Sequence, residues 1–145
     1  MPFSGPIEDR FAIRELHDSY SDSATRHDRV SWLACWADDG EWRIMHGDFI
    51  SKSEIAIQWD RIMNDMNGGL KGADLALFLT FPASMELNGD HGVGYVYTNE
   101  LMVNESGRVS RLAGRYDDEY VKVDGRWLFK CRTYRLIHVD SHHER

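Results

Sequence analysis

Apolar residues recur every two to four positions near the start of the chain, with polar residues between them. The members of this series are Ile7, Phe11, Ile13, Leu16 and Tyr20. Such spacing places one apolar stripe along a helix and predicts an amphipathic helix over residues 7–26. Glu8 and Asp9 support its start, because acidic side chains interact favourably with the positive end of the helix dipole.

Two further helices are predicted before the middle of the chain. Asp28 can cap a second helix, and its apolar stripe runs to Trp36 before the turn residues Asp38-Asp39-Gly40. Residues 40–49 alternate between apolar and polar and predict a strand or hairpin. The apolar spacing in residues 51–66 predicts the third helix.

The pattern changes to a period of two in the second half, after a glycine-rich loop at residues 67–74. Four strand-like runs follow, and their separators NGD, NESG and VDG are typical of hairpins. Pro82 is expected to mark a bulge or bend in the first run, since proline cannot donate a ladder hydrogen bond. The order of elements predicts an α+β fold with a four-stranded antiparallel meander, one face of which the helices cover.

The chain of 145 residues fits one domain. We expect an irregular arm at residues 1–6, a single domain over 7–138 and a polar tail at 139–145.

Composition narrows the function classes. The net charge of −7 disfavours nucleic-acid and anionic-membrane partners, because both prefer a basic face. Cys35 and Cys131 lack zinc-ligand spacing, and no nucleotide or metal motif is present, so neither a cofactor nor a metal is expected. The N-terminus lacks a signal-peptide pattern, which favours a cytoplasmic location with free thiols. Aromatic residues make up 12% of the chain, enough for some to line a cavity.

Four segments, in this order, carry a family resemblance: IRELHDSYSDSATRHD, CWADDGEW, GRYDDEY and VDGRWLFK. They resemble the SnoaL-like group of the nuclear-transport-factor-2-like superfamily, over roughly residues 7–137. That group includes scytalone dehydratase, ketosteroid isomerase and hexachlorocyclohexane dehydrochlorinase. The resemblance implies a cone-shaped, curved antiparallel or mixed sheet wrapped around three helices, with one deep pocket. It also implies a homodimer or homotrimer.

The dehydrochlorinase pattern transfers residue by residue. Its YSD tripeptide falls on Tyr20-Ser21-Asp22, its catalytic aspartate on Asp28 and its pocket arginine on Arg132. Its histidine base falls on Phe78, so the resemblance does not carry the Asp–His dyad over to this chain.

Three residues are candidates for the chemistry. Asp28 is a base if it faces the pocket, and a helix N-cap if it faces solvent. Tyr20 can donate to a carbonyl or an oxyanion, or serve as a core residue with its hydroxyl at the rim. His46 closes a strand near the expected mouth, where it either replaces the missing histidine or lies on the surface.

The last two strands add candidates for substrate binding. Alternation places Tyr116 and Asp118 on one face, and likewise Arg132 and Tyr134. On the inner face these residues would bind a substrate oxygen, whereas on the outer face they would form a structural ion pair. Phe78 would line the apolar wall.

These observations lead to three hypotheses. The first is a cofactor-independent lyase that removes a proton and expels water, halide or formaldehyde from a small, apolar, ring-bearing substrate. The second is an isomerase or cyclase in which one carboxylate shuttles a proton while phenols hold an enolate. The third is a ligand-binding domain without catalysis.

Overall fold

The predicted α+β fold is confirmed by a computed structural model, which describes residues 2–65 and 73–143. The helices are α1 (Ile7–Thr25), α2 (Arg29–Leu33) and α3 (Lys52–Asp60), the last continued by a π-helical turn at Arg61–Asp65. The strands are β1 (Phe3–Ser4), β2 (Trp36–Ile44), β3 (Gly47–Ile50), β4 (Ala73–Asn88), β5 (His91–Asn104), β6 (Arg108–Val123) and β7 (Arg126–His143).

The seven strands form one mixed sheet in the order β1-β4-β5-β6-β7-β2-β3. Strands β4 to β7 are the predicted antiparallel meander, while β2 joins β7 in parallel. The sheet curls without closing, and its inner face packs on α1 through contacts with β4 and β7. This curvature produces the predicted cone.

Helix α1 forms as the spacing predicts and buries one stripe, but Ile7 and Phe11, the first two residues of the predicted stripe, are exposed. Ile13, Leu16, His17, Tyr20 and Ala24 are buried at intervals of three and four, which places them on one side of the helix. They join the rings of the sheet in one core. The stripe therefore determines which face of α1 the sheet covers.

The second helix is shorter than predicted. It ends at Leu33, and Trp36 begins β2 instead of extending the helical stripe. Trp36 pairs with Phe129 of β7, and a bulge between Trp36 and Glu41 leaves the Asp38-Asp39 side chains exposed. Pairing with a strand some ninety residues later overrides the local helical pattern.

Both chain ends are more regular than predicted. Phe3 and Ser4, inside the supposed irregular arm, pair in parallel with Met85 and Glu86 of β4. Strand β7 extends to His143 beside β6, so positions 139–143 are part of the sheet and not a free polar tail. Main-chain hydrogen bonding, which the polar composition of these segments does not reveal, accounts for both differences.

Strand β4 contains the bulge predicted at Pro82, where its register with β5 shifts between Pro82 and Ser84. The glycine-rich loop predicted at residues 67–74 lies largely outside the described residues. Its last two positions, Ala73 and Asp74, already belong to β4.

The outer edge of β4 is covered by the end of α1. The Thr25 hydroxyl donates to the Phe78 carbonyl at 3.3 Å and accepts from the Phe78 N–H at 3.0 Å. Two residues later, His27 Nε2 donates to the Leu75 carbonyl at 2.7 Å. These bonds replace the strand that β4 lacks on this side, and they attach α1 to the sheet.

We predict that Thr25→Val destabilises the protein by about 1–3 kcal/mol, because the isosteric side chain leaves both Phe78 backbone groups without a partner. Urea denaturation measures this loss in the free energy of unfolding. Thr25→Ser keeps the hydroxyl and is the matched control. Equal stability of the valine and serine variants would contradict the prediction.

Candidate active site

A cavity of about 100 Å³ lies between the helices and the inner face of the sheet. Its lining is mostly aromatic and aliphatic, from Tyr20, Ala24, Trp32, Trp42, Ile44, Met45, Trp59, Ile62, Met63, Leu75, Phe78, Met102, Leu112, Tyr116 and Tyr134. His46 and Glu100 complete it. Met45 and His46 are exposed at the β2–β3 turn and mark the mouth.

Glu100 is the single carboxylate among the described lining residues. It projects from β5 between Phe78 of β4 and Leu112 of β6, its partners in register. Burial among these groups raises the pKa of the Glu100 carboxyl to about 7, because the charged form loses its hydration. Near neutral pH this group therefore exists in both protonation states.

Tyr134 is the hydrogen-bond partner of Glu100. Its hydroxyl donates to Glu100 Oε2 at 3.3 Å, which favours the ionised carboxylate and partly opposes the effect of burial. Gly114 makes this position available, because a Cβ at Gly114 would overlap the Tyr134 ring and hydroxyl. The absence of a side chain at one position of β6 thus determines where a phenol of β7 points.

Two more phenols line the closed end of the cavity. The Trp42 indole N–H donates to the Tyr116 hydroxyl at 2.9 Å, and burial raises the pKa of Tyr116 to about 12. Burial raises the pKa of Tyr20 as well, so both phenols remain protonated donors at neutral pH. Tyr20 and Tyr116 lie with their rings 6.4 Å apart.

The predicted pair of Arg132 and Asp118 forms on the inner face, but it does not bind substrate from the cavity wall. Arg132 Nε and Nη2 donate to the Asp118 carboxylate at 2.7 and 3.2 Å, and both side chains are fully buried. Neither residue lines the cavity. The substrate-binding role predicted for them is therefore wrong: the aromatic core covers them completely.

Two core residues extend the ion pair, and the sequence reasoning did not single them out. Tyr120 donates to Asp118 Oδ2 at 3.4 Å, so the 2.8 Å contact between Tyr120 and His17 requires His17 to donate from Nε2. Burial and the nearby Arg132 lower the pKa of His17 well below its usual value, and it stays neutral. Asp118 is thus the acceptor that anchors a buried polar network.

Asp28 faces away from the cavity, and the prediction of a pocket base at this position is wrong. Its carboxylate caps α2, accepting from the Ser31 N–H at 3.1 Å and the Ser31 hydroxyl at 2.7 Å. Arg26 lies at 3.3 Å. The Ser31 hydrogen bonds, together with Arg26, lower the pKa of Asp28, which makes it a poor base. The helix-cap alternative describes this residue, because α1 ends at Thr25 and the chain then turns outward.

The other candidates lie where a ligand in the cavity would meet them. Tyr20, Tyr116, Tyr134 and Phe78 line its interior, and His46 lines its mouth. Their roles toward a substrate remain predictions.

Glu100 was missed by the sequence reasoning, although β5 carries a signal for it. In the run VYTNELM, the residues at 96, 98 and 102 are buried on the inner face, and Glu100 has the same parity. A carboxylate at an inward position is costly unless the site uses it, so this parity is itself a functional indication.

Residues 2–65 and 73–143 contain neither a cluster of metal-ligating side chains nor a helix suited to cross a membrane. No three His, Cys, Asp or Glu side chains in these ranges are grouped closely enough to hold a metal ion. No helix there combines the length and apolarity needed to cross a membrane.

We predict that Asp118→Asn destabilises the protein by about 3–5 kcal/mol, because it leaves the Arg132 charge buried without its counterion. Chemical denaturation measures the loss. Asp117→Asn is the matched control, since Asp117 pairs with Arg115 on the exposed side of the same strand. Equal losses of stability in the two variants would show that the buried pair contributes no more to the free energy of unfolding than the exposed pair does.

We predict that Tyr134→Phe raises the pKa of Glu100 above 7, because the ionised carboxylate loses its hydrogen-bond donor. Gly114→Ala should act in the same direction by displacing the phenol. Carbon-13 NMR of labelled glutamate carboxyls follows the titration directly. An unchanged titration in both variants would mean that Tyr134 does not act on Glu100 in solution.

Several solved structures share this fold. The protein of unknown function Rv3472 from Mycobacterium tuberculosis superposes with a TM-score of 0.78 at 19% identity, over 92% of this chain and 79% of its own. A candidate scytalone dehydratase from Novosphingobium aromaticivorans gives 0.77 at 17% identity, over 96% and 91%. A hexachlorocyclohexane dehydrochlorinase from Novosphingobium barchaimii gives 0.72 at 19% identity, over 96% and 95%. At these identities the similarity establishes the fold alone.

The sequence family is established by a separate comparison. No curated protein matches the chain. The model of the SnoaL-like domain, however, matches residues 6–133, which is most of the chain and includes every described cavity-lining residue except Tyr134. The chain therefore belongs to the SnoaL-like domain family.

Proposed function

We propose that this protein catalyses a cofactor-free proton transfer on a small, apolar, ring-bearing molecule, with Glu100 as the base. The supporting observation is Glu100 itself, a single carboxylate with a pKa of about 7 in an otherwise apolar cavity. A base with a pKa near the working pH combines a usable ionised fraction with a strong affinity for the proton. A purely structural role for Glu100 would be expensive, because its burial disfavours the charged form.

The step begins with the ionised Glu100 carboxylate removing a proton from a carbon next to a carbonyl group. The electron pair of the broken C–H bond moves into the C–C bond as the carbonyl becomes an enolate, with the negative charge on oxygen. Glu100, now protonated, returns the same proton to a different carbon of the conjugated system. Mass is conserved, and the reaction is an isomerisation.

Isomerisation fits the site best because the cavity interior holds one carboxylate, and one carboxylate is sufficient to take and return a proton. Elimination is the second candidate, favoured by His46 at the mouth. There a histidine would protonate departing water, halide or formaldehyde after Glu100 has removed the first proton. The names of two similar structures, a dehydratase and a dehydrochlorinase, agree with such a lyase.

A ligand-binding domain without turnover is the third possibility, and the structure supplies one argument for it. Phe78 occupies the position at which the family resemblance places a histidine, and Asp28 points away from the cavity. Such a domain would be stabilised by its ligand and leave it intact.

Self-association through the outer face of the sheet is part of the same proposal. Phe81 of β4 and Ile137 of β7 expose 64% and 58% of their surface there, unusually much for large apolar residues. We expect a homodimer or homotrimer, which light scattering of the purified protein would distinguish.

We predict that Glu100→Gln lowers turnover by a factor of about 100 or more, because an amide cannot accept the proton. Substrates come from a thermal-shift screen of aromatic, steroid and polyketide ketones, with mass spectrometry of each hit. The wild-type kcat/KM should rise with pH through about 7, as Glu100 ionises. Asp28→Asn, which keeps the cap of α2, is the control and should retain turnover.

A measurement of thermal stability checks that the Glu100→Gln variant folds. Burial raises the Glu100 pKa from 4.5 to about 7, so the wild type loses stability as the pH rises through this window. Glu100→Gln avoids this loss and should have the higher Tm at pH 8, with the difference shrinking toward pH 4.5. Full turnover in Glu100→Gln would overturn the proposal. Intact, bound hits with no product would indicate the ligand-binding domain instead.

A further inference from the structure

We propose that the cavity is also a binding site for a small methylated ammonium ion, held between the Glu100 carboxylate and the aromatic rings of the cavity. Those rings form the ring wall, which consists of Tyr20, Trp32, Trp42, Trp59, Phe78, Tyr116 and Tyr134. The inference concerns binding alone, so it holds whether or not Glu100 catalyses the proposed proton transfer.

The ionised Glu100 carboxylate lacks a counterion. It forms none of the ion pairs found among the described residues, and the described cavity lining contains no Lys or Arg. Its hydrogen-bond partner is the Tyr134 hydroxyl, a neutral donor. Buried charges in proteins are normally paired, because the charged form otherwise loses its hydration without compensation. A ligand cation beside the carboxylate would supply the missing partner.

The nearby Arg132 guanidinium does not serve as this counterion. It donates to the Asp118 carboxylate at 2.7 and 3.2 Å, so its charge is already paired. Among the described residues, the pKa of Glu100 responds to burial, which raises it, and to the Tyr134 hydrogen bond, which lowers it, but not to Arg132. The ionised carboxylate therefore receives no stabilisation from the cation in the core.

The ring wall supplies the other half of the site, because the face of an aromatic ring is negative and attracts cations. The Trp32 ring lies 5.1 Å from Trp42 at an angle of 61° and 4.3 Å from Trp59 at 31°, so the indoles are inclined to one another. Indole is the side-chain ring that attracts cations most strongly. Within the described chain no Lys or Arg stacks on these three indoles, so their attraction for a cation is unused.

Two phenols connect Glu100 to the indoles across the cavity. The Tyr134 hydroxyl donates to Glu100, and the Tyr134 ring lies 5.1 Å from that of Tyr116. The Tyr116 hydroxyl in turn accepts from the Trp42 indole at 2.9 Å. Burial is the main cause of the raised pKa of Tyr116, and the charge of Glu100 contributes to it. The carboxylate thus acts on the same space that the rings enclose, and a cation there would interact with both.

The chemistry of the lining favours a methylated ammonium ion over a primary amine. A primary ammonium group has three N–H donors that need acceptors. Apart from Glu100 and His46 at the mouth, the described lining provides only phenol hydroxyls and apolar groups. Methyl groups in place of the hydrogens keep the positive charge and lower the cost of leaving water. Ions of this class are the ligands that aromatic cages in proteins recognise.

The test compares choline with 3,3-dimethylbutan-1-ol, which has the same shape but carries a carbon atom in place of the charged nitrogen. Affinity is followed by the fluorescence of the cavity tryptophans. Proton NMR follows the N-methyl signal of choline, which ring currents should move upfield when the methyl groups lie against the ring wall. At pH 8 the wild type should bind choline roughly tenfold more tightly than the neutral alcohol.

This preference should depend on pH in one direction. Choline binds the ionised carboxylate, and the pKa of Glu100 is about 7, so choline affinity should fall about tenfold for each pH unit well below 7 and level off above it. The phenols of Tyr20, Tyr116 and Tyr134 stay protonated over this range, because burial raises their pKa. His46→Gln should keep the pH dependence, which separates the titration of Glu100 from that of the histidine at the mouth.

Glu100→Gln should remove both the preference for choline and its dependence on pH. Glu119→Gln is the matched control, because it removes the same charge from an exposed position of β6 in a chain whose net charge of −7 attracts any cation. The control should bind both probes like the wild type. Circular dichroism confirms that each variant folds. No turnover is measured, so failure of this inference is distinguishable from failure of the proposed function.

The inference is overturned if the wild type binds choline no more tightly than the alcohol at pH 8, or binds neither probe. It is equally overturned if Glu100→Gln keeps the preference, or if Glu119→Gln reduces it as much. Bound choline whose N-methyl signal does not move upfield would place the ion outside the ring wall and would also contradict the inference.

Discussion

The buried ion pair of Arg132 and Asp118 is the interaction on which the rest of this structure depends. The pair joins β6 to β7, because Asp118 lies on β6 and Arg132 on β7. The Arg132 guanidinium also stacks on Tyr20 of α1 and on Phe129. Asp118 accepts a hydrogen bond from Tyr120 and lies 3.8 Å from His17 of α1. Desolvating two charges is costly, and the bidentate geometry and the surrounding rings offset that cost. Removing either partner would leave the other charge buried without a counterion. The pair therefore favours the one arrangement of α1, β6 and β7 in which both charges are satisfied.

This arrangement shapes the cavity above it. The rings of Tyr20 and Tyr116, which cover Arg132, also line the cavity. Both rings are positioned by stacking on the Arg132 guanidinium, and the Tyr116 hydroxyl also accepts a hydrogen bond from the Trp42 indole. Above them the wall is apolar apart from Glu100 and its partner Tyr134. A low-dielectric cavity disfavours an uncompensated charge inside it, which is why burial raises the pKa of the lone Glu100 carboxyl to about 7.

Residues Asp28 and Glu100 show how far the sequence leads toward the site. Asp28 attracted attention because a family pattern places a catalytic aspartate just after the first helix, yet its side chain serves the backbone of α2. Glu100 drew none, since a glutamate within a strand is usually on the solvent face. Whether a carboxylate meets water or a cavity depends on where α1 ends and how β5 is registered against its neighbours. Neither can be decided from the residue itself.

The sequence by itself determined the α+β class, the extent of α1, the four-stranded meander and the bulge at Pro82, because these follow from local periodicity and turn chemistry. It also predicted that Tyr116 shares a face with Asp118, and Arg132 with Tyr134, a consequence of alternation along two strands, but it left open whether that face is the inner one. Only the tertiary structure decided that the first two are sealed in the core while the phenols and Glu100 reach the cavity. That difference depends on which side chains the aromatic rings cover. These contacts join segments that are distant in the sequence, so no local pattern predicts them.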